Sequence, residues 1–300
     1  MPVPLSEFGW FGTRPVPQGE TVLVGLVGEG IQASRTPRMH EMSAATLGFR
    51  LVYRLFDTEC ADVPSTDLGE ILRAAEVAGF AGLNITHPFK LAVVDHLDAL
   101  DDTAARVGAV NTVVFGGGRR IGFNTDMTGF VAGFSAGLGD APHERVLLVG
   151  AGGGGVAVAH ALAACGVRRL VIADLDPKRL AALADRLARN HPELDVTATE
   201  DLGPTFEASL DGIVNATPVG MAAHPGSAVP PERLDPRTWV SDIIYFPLET
   251  ALLAAARAAG CRVLPGTGMA IGQAVDAFRH FTGHTADRAA MEAAFASFDR

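Results

Sequence analysis

The chain has 300 residues, enough for two domains, and its 48% hydrophobic and 19% charged residues are typical of a globular protein, not a disordered one. Its formal net charge of −10 argues against a general nucleic-acid-binding protein. The cysteines at 60, 165 and 261 lie far apart and include no Cys-x-x-Cys pair, so neither a metal site nor a disulfide framework is predicted.

The N-terminal part of the chain alternates strand and helix patterns after a proline-rich stretch at residues 1–20. The hydrophobic patterns predict strands at 21–27, 50–56 and 82–86, helices at 37–48, 68–78 and 89–97, and a hairpin of strands 110–115 and 120–124 around the glycines at 116–118. This alternation is typical of an α/β domain.

A second strand–helix series begins near Asp126. It has predicted helices at 127–137, 156–166, 177–190 and 248–259, and predicted strands at 146–149, 169–173, 196–199, 212–217, 239–245 and 261–265. We therefore predict an α/β protein of two domains with a cleft between them. They are an N-terminal substrate-binding domain, residues 1–125, rejoined by C-terminal helices 269–300, and a Rossmann-type doubly wound domain, residues 126–268.

The second series opens on a glycine-rich turn between a buried strand and an alanine-rich helix. Strand, turn and helix are the context in which a Gly-x-Gly-x-x-Gly match indicates a dinucleotide site. Such glycines allow a tight turn and close approach of a pyrophosphate, which then meets the free N–H groups of the helix. The predicted cofactor-binding residues of this turn are Gly150, Ala151, Gly152, Gly153, Gly154 and Gly155.

Asp174 ends the next predicted strand, about 20 residues after the last of these glycines, where dinucleotide-binding domains carry a ribose-binding acid. A carboxylate accepts hydrogen bonds from ribose hydroxyls and repels a 2′-phosphate, so the sequence favours NAD over NADP. The alternative is an ordinary glycine turn with Asp174 capping a helix or facing solvent.

Four polar clusters follow predicted strands, where open α/β sheets bind their ligands. They are Ser34 with Thr36, Asn84 with Thr86 and Lys90, Asn111 with Thr112, and Asn124 with Thr125 and Asp126. Lys90 and Asp126 together make an acid–base pair able to take a proton from a hydroxyl. The uncharged hydroxyl and amide groups, including Asn84, suit a polyhydroxylated ligand. The alternative is that these residues cap helices, form turns or lie at the surface.

The combination of motifs resembles the shikimate dehydrogenase family, which includes the quinate/shikimate dehydrogenases. The motifs are Asn84-Ile-Thr-His-Pro-Phe-Lys90, Gly108-Ala-Val-Asn-Thr112, Gly122-Phe-Asn-Thr-Asp126, Gly150-Ala-Gly-Gly, Asn215-Ala-Thr-Pro-Val-Gly-Met221 and Gly266-Thr-Gly-Met-Ala-Ile-Gly-Gln273. They span nearly the whole chain after residue 20.

The resemblance implies roles for individual residues. Lys90 and Asp126 would form the catalytic pair. Tyr245 would lie near the substrate, and Thr217 and Gly268 lie in segments that would border the nicotinamide. The residues implied to contact the hydroxyls and carboxylate of the substrate are Ser34, Thr36, Thr86, Asn111 and Gln273.

Two departures from the biosynthetic pattern point to one branch of the family. Thr36 replaces a serine and adds a methyl group beside the substrate, as in members that use quinate. Asp174-Leu175 replaces the Asn-Arg pair of NADP-dependent members, although Lys178 and Arg179 lie nearby. Both departures indicate an NAD-dependent enzyme of quinate catabolism.

We therefore expect oxidation of quinate, and of shikimate as well, with NAD as cofactor and the Lys90–Asp126 pair handling the proton. The sequence leaves open which of the two carries that proton, because a negative neighbour raises a lysine pKa while burial lowers it. It also leaves open an NADP-dependent, biosynthetic enzyme specific for shikimate, an enzyme for an aminated analogue, a catalytically silent sensor of NAD and a polyol acid, and an unrelated Rossmann-fold binding module. We expect a monomer or homodimer in the cytoplasm, with no nucleic-acid or membrane partner.

Overall fold

A computed structural model describes residues 3–4, 13–60 and 67–299. The chain divides into two compact units, one discontinuous, Met1–Thr125 with Gln273–Arg300, and one central, Asp126–Gly272. The chain re-enters the discontinuous unit at Gln273, inside a helix, whereas the sequence placed the return at residue 269. The helix Thr267–Thr282 is continuous across both positions, so no loop marks the boundary.

The described strands of the discontinuous unit form one mixed sheet with the order β1-β5-β7-β6-β4-β2-β3. They are β1 Val3–Pro4, β2 Thr21–Gly28, β3 Arg50–Asp57, β4 Gly82–Ile85, β5 Ala99–Leu100, β6 Thr112–Gly116 and β7 Arg119–Phe123. Strand β6 runs antiparallel to both β4 and β7, and the other pairs are parallel. The helices of this unit are α1 Thr36–Thr46, α2 Leu68–Val77, α3 Asp102–Val107 and, near the C-terminus, α9 Arg288–Ala296.

The hairpin predicted at 110–124 is confirmed, with β6 and β7 joined by Gly117 and Gly118. Both glycines have positive φ, 61° and 73°, as a two-residue type I′ connection requires. A side chain would be strained at either position although nothing lies near it. The turn chemistry therefore fixes the register of the two strands.

The segment predicted as a helix at 89–97 is helical only over Ala92–His96, and there as a 3₁₀ helix. A competing hydrogen bond accounts for the difference, since the Lys90 carbonyl accepts the N–H of Val110, outside the predicted helix, at 2.8 Å. Helix α3 was not predicted. It is short, and the Asp101 side chain caps it by accepting the N–H groups of Thr103 and Ala104.

The central unit is a parallel sheet with the order β10-β9-β8-β11-β12-β13. Its strands are β8 Arg145–Val149, β9 Arg169–Ala173, β10 Asp195–Thr199, β11 Gly212–Asn215, β12 Trp239–Asp242 and β13 Val263–Leu264, and its helices are α4 Thr125–Leu138, α5 Gly153–Ala164, α6 Pro177–Asn190, α7 Ala251–Ala258 and the first part of α8 Thr267–Thr282. Counted from β8, this order is the 3-2-1-4-5-6 order of a doubly wound dinucleotide-binding fold, so the predicted fold class is confirmed.

Strands β11 and β12 are shorter than their hydrophobic runs predict. The side chain of Asn215 accepts the N–H of Thr217 at 3.0 Å, and the side chain of Asp242 accepts that of Ile244 at 3.0 Å. These side chains take backbone donors that would otherwise continue the strand ladder. Both strands therefore end in turns at the carboxyl edge of the sheet, where ligands of this fold bind.

Across residues 13–60 and 67–299, helices long and apolar enough to cross a membrane are absent.

Candidate active site

Loops after β2 and β4 carry one group of predicted site residues in the discontinuous unit. Ser34 and Thr36 lie in and just after the first loop, and Thr86 and Lys90 lie in the second. The Glu29 N–H donates to the His87 carbonyl at 3.0 Å and holds the two loops side by side. Ser34, Thr86 and Lys90 are half-buried and Thr36 is buried.

The side chain of Asn111 is held by its own neighbours. Its Nδ2 donates to Thr125 Oγ1 at 2.9 Å, and its Oδ1 accepts the Thr125 N–H at 2.8 Å and the Thr112 hydroxyl at 3.1 Å. Asn111 is 3% exposed. With its oxygen engaged by two donors and one Nδ2 hydrogen given to Thr125, the amide has one orientation.

Asn84 lies behind Asn111 in the same network. Its Nδ2 donates to Thr112 Oγ1 at 2.9 Å and to the Asn111 carbonyl at 3.3 Å, while its Oδ1 accepts the Tyr53 hydroxyl at 2.7 Å. Asn84 is 3% exposed and Tyr53 is 7% exposed. We call these buried side chains, Tyr53, Asn84, Asn111, Thr112 and Thr125, the asparagine network. Because each amide in it is satisfied by fixed partners, the network sets the orientation of Asn111.

Lys90 belongs to the discontinuous unit and Asp126 to the central unit. Lys90 lies in the turn that precedes the 3₁₀ helix Ala92–His96, with its carbonyl bound to Val110. Asp126 lies in the first turn of α4 and is 5% exposed. A carboxylate in the first turn of a helix is stabilised by the N-terminal end of the helix dipole.

The glycine loop of the central unit shows why glycines are needed there. Gly150 has a φ of 107°, and a Cβ on it would lie 2.7 Å from the Ala216 carbonyl oxygen. A Cβ on Gly155 would overlap the carbonyl oxygen of Gly150. Gly152, the N-cap of α5, instead faces open space and has no capping side chain. The loop therefore packs tightly on one side and presents free helix N–H groups on the other, as a dinucleotide pyrophosphate requires.

Asp174 follows β9 and lies beside this loop. Its Oδ2 accepts the Ala151 N–H at 2.7 Å and its Oδ1 accepts the Asp176 N–H at 2.9 Å. A carboxylate has about four acceptor sites, so two remain for ribose hydroxyls. The N-cap of α6 is Asp176, not Asp174, and Leu175 between them is 90% exposed.

The remaining predicted residues of the central unit lie after its other strands. Thr217 follows β11 and is close to the glycine loop, since a Cβ on Gly150 would lie 3.0 Å from its methyl group. Tyr245 is half-buried and follows β12, and Gly268 lies in the first turn of α8. Gln273, further along α8, is the first residue of the second segment of the discontinuous unit.

A buried carboxylate that the sequence reasoning missed joins the two segments after β11 and β12. Asp242 is 0% exposed, and it accepts hydrogen bonds from Asn215 Nδ2 at 3.1 Å and from the Thr250 hydroxyl at 2.8 Å. Asn215 in turn accepts the Thr217 hydroxyl at 2.7 Å. Burial raises the pKa of Asp242, and these hydrogen bonds oppose the rise. Asp242 is the last residue of β12, and a carboxylate at a strand end is a signal, but the predicted strand continues to residue 245.

Two charged side chains around the first loop were also missed, Asp57 at the end of β3 and Arg35 between Ser34 and Thr36. Each is 2% exposed. The position of Asp57 at a strand end was again an available signal, but nothing in the sequence indicates that Arg35 is buried. Among the described residues, no group of three or more His, Cys, Asp or Glu side chains is placed to hold a metal ion.

Sequence comparisons cover both units. The Shikimate dehydrogenase substrate binding domain matches residues 26–113, and the Shikimate 5'-dehydrogenase C-terminal domain matches residues 266–294. Between them, residues 130–203 match the ThiF family. The first match includes the loops after β2 and β4, and the last includes all of α8. Both descriptions name shikimate dehydrogenase.

Three relatives extend over almost the entire chain. A protein of Streptomyces avermitilis named shikimate dehydrogenase (NADP(+)) is 50% identical over 91% of this chain and 94% of its own length. One of Corynebacterium efficiens named quinate/shikimate dehydrogenase (NAD(+)) is also 50% identical, over 93% of this chain and 99% of its own. The solved quinate dehydrogenase from Corynebacterium glutamicum in complex with NAD is 46% identical with a TM-score of 0.85, over 93% of this chain and 100% of that one. With this identity and coverage, the chain belongs to the shikimate dehydrogenase family.

Proposed function

We propose that this protein oxidises quinate, and shikimate as a second substrate, with NAD as the cofactor. The observation that carries the proposal is the position of Asp174, whose carboxylate is bound to the glycine loop through the Ala151 N–H. There it would accept the ribose hydroxyls of NAD and repel the 2′-phosphate of NADP. The relative from C. efficiens and the solved quinate dehydrogenase bear names that include NAD.

The residues present fit a bound dinucleotide. The N–H groups at the start of α5 would bind the pyrophosphate, because no side chain caps that helix end. Thr217 and Gly268 would border the nicotinamide. Bound NAD supplies an acceptor for the hydride that leaves the substrate carbon. Arg179 Nε lies 3.4 Å from Asp176 Oδ2, so the guanidinium contacts the carboxylate that caps α6.

The proton of the reacting hydroxyl would pass to Lys90 and Asp126 acting as a coupled pair. As the C–H bond of the substrate breaks with its electron pair, the O–H bond breaks and leaves its electrons in the new carbonyl. The pair takes up the released proton and passes it to solvent. General acid–base catalysis of this kind contributes about 10²- to 10⁴-fold to a rate.

Uncharged side chains would bind the hydroxyls of the ring. We assign this role to Ser34, Thr36 and Thr86, in and next to the loops after β2 and β4, and to Asn111, Tyr245 and Gln273. Asn84 would act through the asparagine network, because its Nδ2 and Oδ1 are already bound to Thr112 and Tyr53. Thr36, beside the half-buried Ser34, stands where the biosynthetic pattern has serine. Its additional methyl group supports quinate as the preferred substrate.

The test is the initial rate of NADH or NADPH formation by the purified protein, with quinate or shikimate as substrate and NAD or NADP as cofactor. We expect activity with both and a higher kcat/KM for quinate. The first rival is a shikimate-specific, NADP-dependent enzyme, which the name of the S. avermitilis relative favours. This rival predicts activity only with shikimate as substrate and NADP as cofactor. No formation of NADH or NADPH with either substrate would instead indicate a silent binding protein.

A further inference from the structure

Arg35 lies between two proposed substrate-binding residues, Ser34 and Thr36, but its side chain contacts the C-terminal part of the chain. Arg35 is 2% exposed, and its Nη1 donates to the Phe295 carbonyl at 2.9 Å. The guanidinium carbon lies 4.5 Å from the centre of the Phe295 ring and 5.5 Å from that of Phe298. The side chain thus joins the loop after β2 to the end of α9.

This contact is chemically suited to an arginine. The last carbonyls of a helix lack partners and carry the negative end of its dipole, so a cation that bonds one of them is stabilised. A planar guanidinium also stacks on aromatic rings, and that attraction is stronger where water is excluded. Lysine in place of Arg35 would keep the charge and one hydrogen bond but lose the planar stacking.

The start of the same loop is fixed by a second buried charge. Asp57 accepts the N–H groups of Gly30 at 2.9 Å and Ile31 at 3.0 Å, and the side chain of Gln32 at 3.1 Å. Burial alone would raise the pKa of Asp57, but these bonds and one from Glu59 hold it below its usual value. The loop is therefore anchored by Asp57 at its beginning and by Arg35 at its end.

The C-terminal helix is itself attached to the helix that follows this loop. Helix α9 packs on α1, and the Asp287 N–H at its start donates to Ser43 Oγ at 2.9 Å. Arg35 makes the corresponding contact at the other end of α9, so the two helices run antiparallel and are joined at both ends. The position of Arg35 thus depends on the packing of α9.

We propose that Arg35 is a positioning residue for the substrate, which orients the hydroxyls of Ser34 and Thr36 by anchoring their loop to Phe295. The Ser34 Oγ already accepts the Thr36 N–H at 3.3 Å, so the two residues move as one turn. The inference rests on the proposed function, in which Ser34 and Thr36 bind the ring hydroxyls. It assigns the end of α9, a segment with no role in the proposed chemistry, to substrate affinity.

The test compares dissociation constants for quinate and for NAD, measured by calorimetry on Arg35→Ala, Arg35→Lys and Phe295→Leu. We expect the quinate constant to rise about tenfold in Arg35→Ala, because displaced hydroxyls lose their hydrogen bonds, and less in the other two. The NAD constant should stay within about twofold, since the glycine loop lies in the other unit. Arg288→Ala is the matched control, because it removes an exposed ion pair with Glu292 from the same helix. It should change neither constant.

An unchanged quinate constant in Arg35→Ala would overturn the inference, as would equal weakening of quinate and NAD, which indicates general unfolding. If Arg35→Ala does not fold, unchanged quinate binding in both Arg35→Lys and Phe295→Leu would overturn it. Failure of the proposed function is a separate result, since it appears as absent turnover in the unaltered enzyme. Quinate binding and its dependence on Arg35 are measured without turnover.

Discussion

The glycine loop of the central unit and the asparagine network of the discontinuous unit are built on opposite principles. The loop offers main-chain N–H groups, and its shape depends on side chains that are missing, at Gly150 and Gly155. The network depends on side chains that are present, with each amide of Asn84 and Asn111 fixed by a named partner. A main-chain site is suited to a cofactor shared by many enzymes, whereas a side-chain site can change with the substrate.

The largest expected effect concerns Lys90, in the same unit as the asparagine network. Lys90→Ala should lower kcat by about 10³-fold, because the substitution removes one member of the proposed Lys90–Asp126 pair. The dissociation constant of NAD should be unchanged, since its proposed contacts lie in the central unit. Arg73→Ala, at an exposed position on α2, is the control. Near-normal kcat in Lys90→Ala would refute the assignment of Lys90 to the acid–base pair.

Two substitutions separate folding from binding within the glycine loop. Gly155→Ala should lower the free energy of unfolding by about 3 kcal/mol, because its methyl group would overlap the Gly150 carbonyl. Gly152→Ala should leave stability within about 1 kcal/mol, since that position is open and has a φ of −75°. It should weaken NAD binding, because the methyl group occupies the space next to the helix N–H groups. Urea unfolding and calorimetry measure the two quantities, and equal destabilisation by both would contradict this account of the loop.

A buried histidine beside the asparagine network predicts a pH dependence of stability. Burial lowers the pKa of His40 to about 3, and its ring packs on Tyr53 at 5.1 Å. The unfolded chain therefore binds a proton that the folded chain does not, and stability falls as the pH drops from about 6.5 towards 3, by up to about 1.4 kcal/mol per pH unit.

The variant His40→Phe should remove that part of the slope, because its ring does not titrate. His224→Gln, at an exposed position, should keep the slope. Urea unfolding at a series of pH values measures both. A slope in His40→Phe equal to that of the unaltered protein would show that His40 is not the group responsible.

The smallest expected effect concerns the far end of the asparagine network. Tyr53→Phe removes the hydroxyl that donates to Asn84 and should cost about 1 kcal/mol of stability. The KM for quinate should rise about twofold to fivefold with little change in kcat, because Asn111 is held less firmly. Steady-state kinetics with quinate and with NAD measure kcat and the two KM values. A KM that rises for NAD but not for quinate would contradict the proposed link from Tyr53 to Asn111.

The sequence predicted what local chemistry determines. The hairpin at Gly117 and Gly118, the doubly wound order of the central unit and the strand ends that carry Lys90 and Asp174 all follow from turn residues, hydrophobic runs and spacing. What it did not predict depends on partners distant in sequence. Val110 binds the Lys90 carbonyl and limits the predicted helix to a 3₁₀ segment, and Phe295 decides where Arg35 points.

The same distinction holds within the candidate site. The type and spacing of Asn84 indicated a ligand-binding residue, but its partner Tyr53 is two strands away in the sheet and is not apparent from the sequence. Asp242 was overlooked because the hydrophobic run around it continues to Ile244, and only the hydrogen bond to the Ile244 N–H reveals the turn.

The central claim is that Asp174 selects NAD. The most direct test is the ratio of kcat/KM for NAD to that for NADP, with quinate as substrate, in the unaltered enzyme and in Asp174→Ala. We predict a ratio of at least about 100 in the unaltered enzyme and a roughly tenfold smaller ratio in the variant, as expected when a carboxylate no longer binds the ribose or repels a phosphate. A preference for NADP in the unaltered enzyme, or a ratio that the substitution leaves unchanged, would contradict the account.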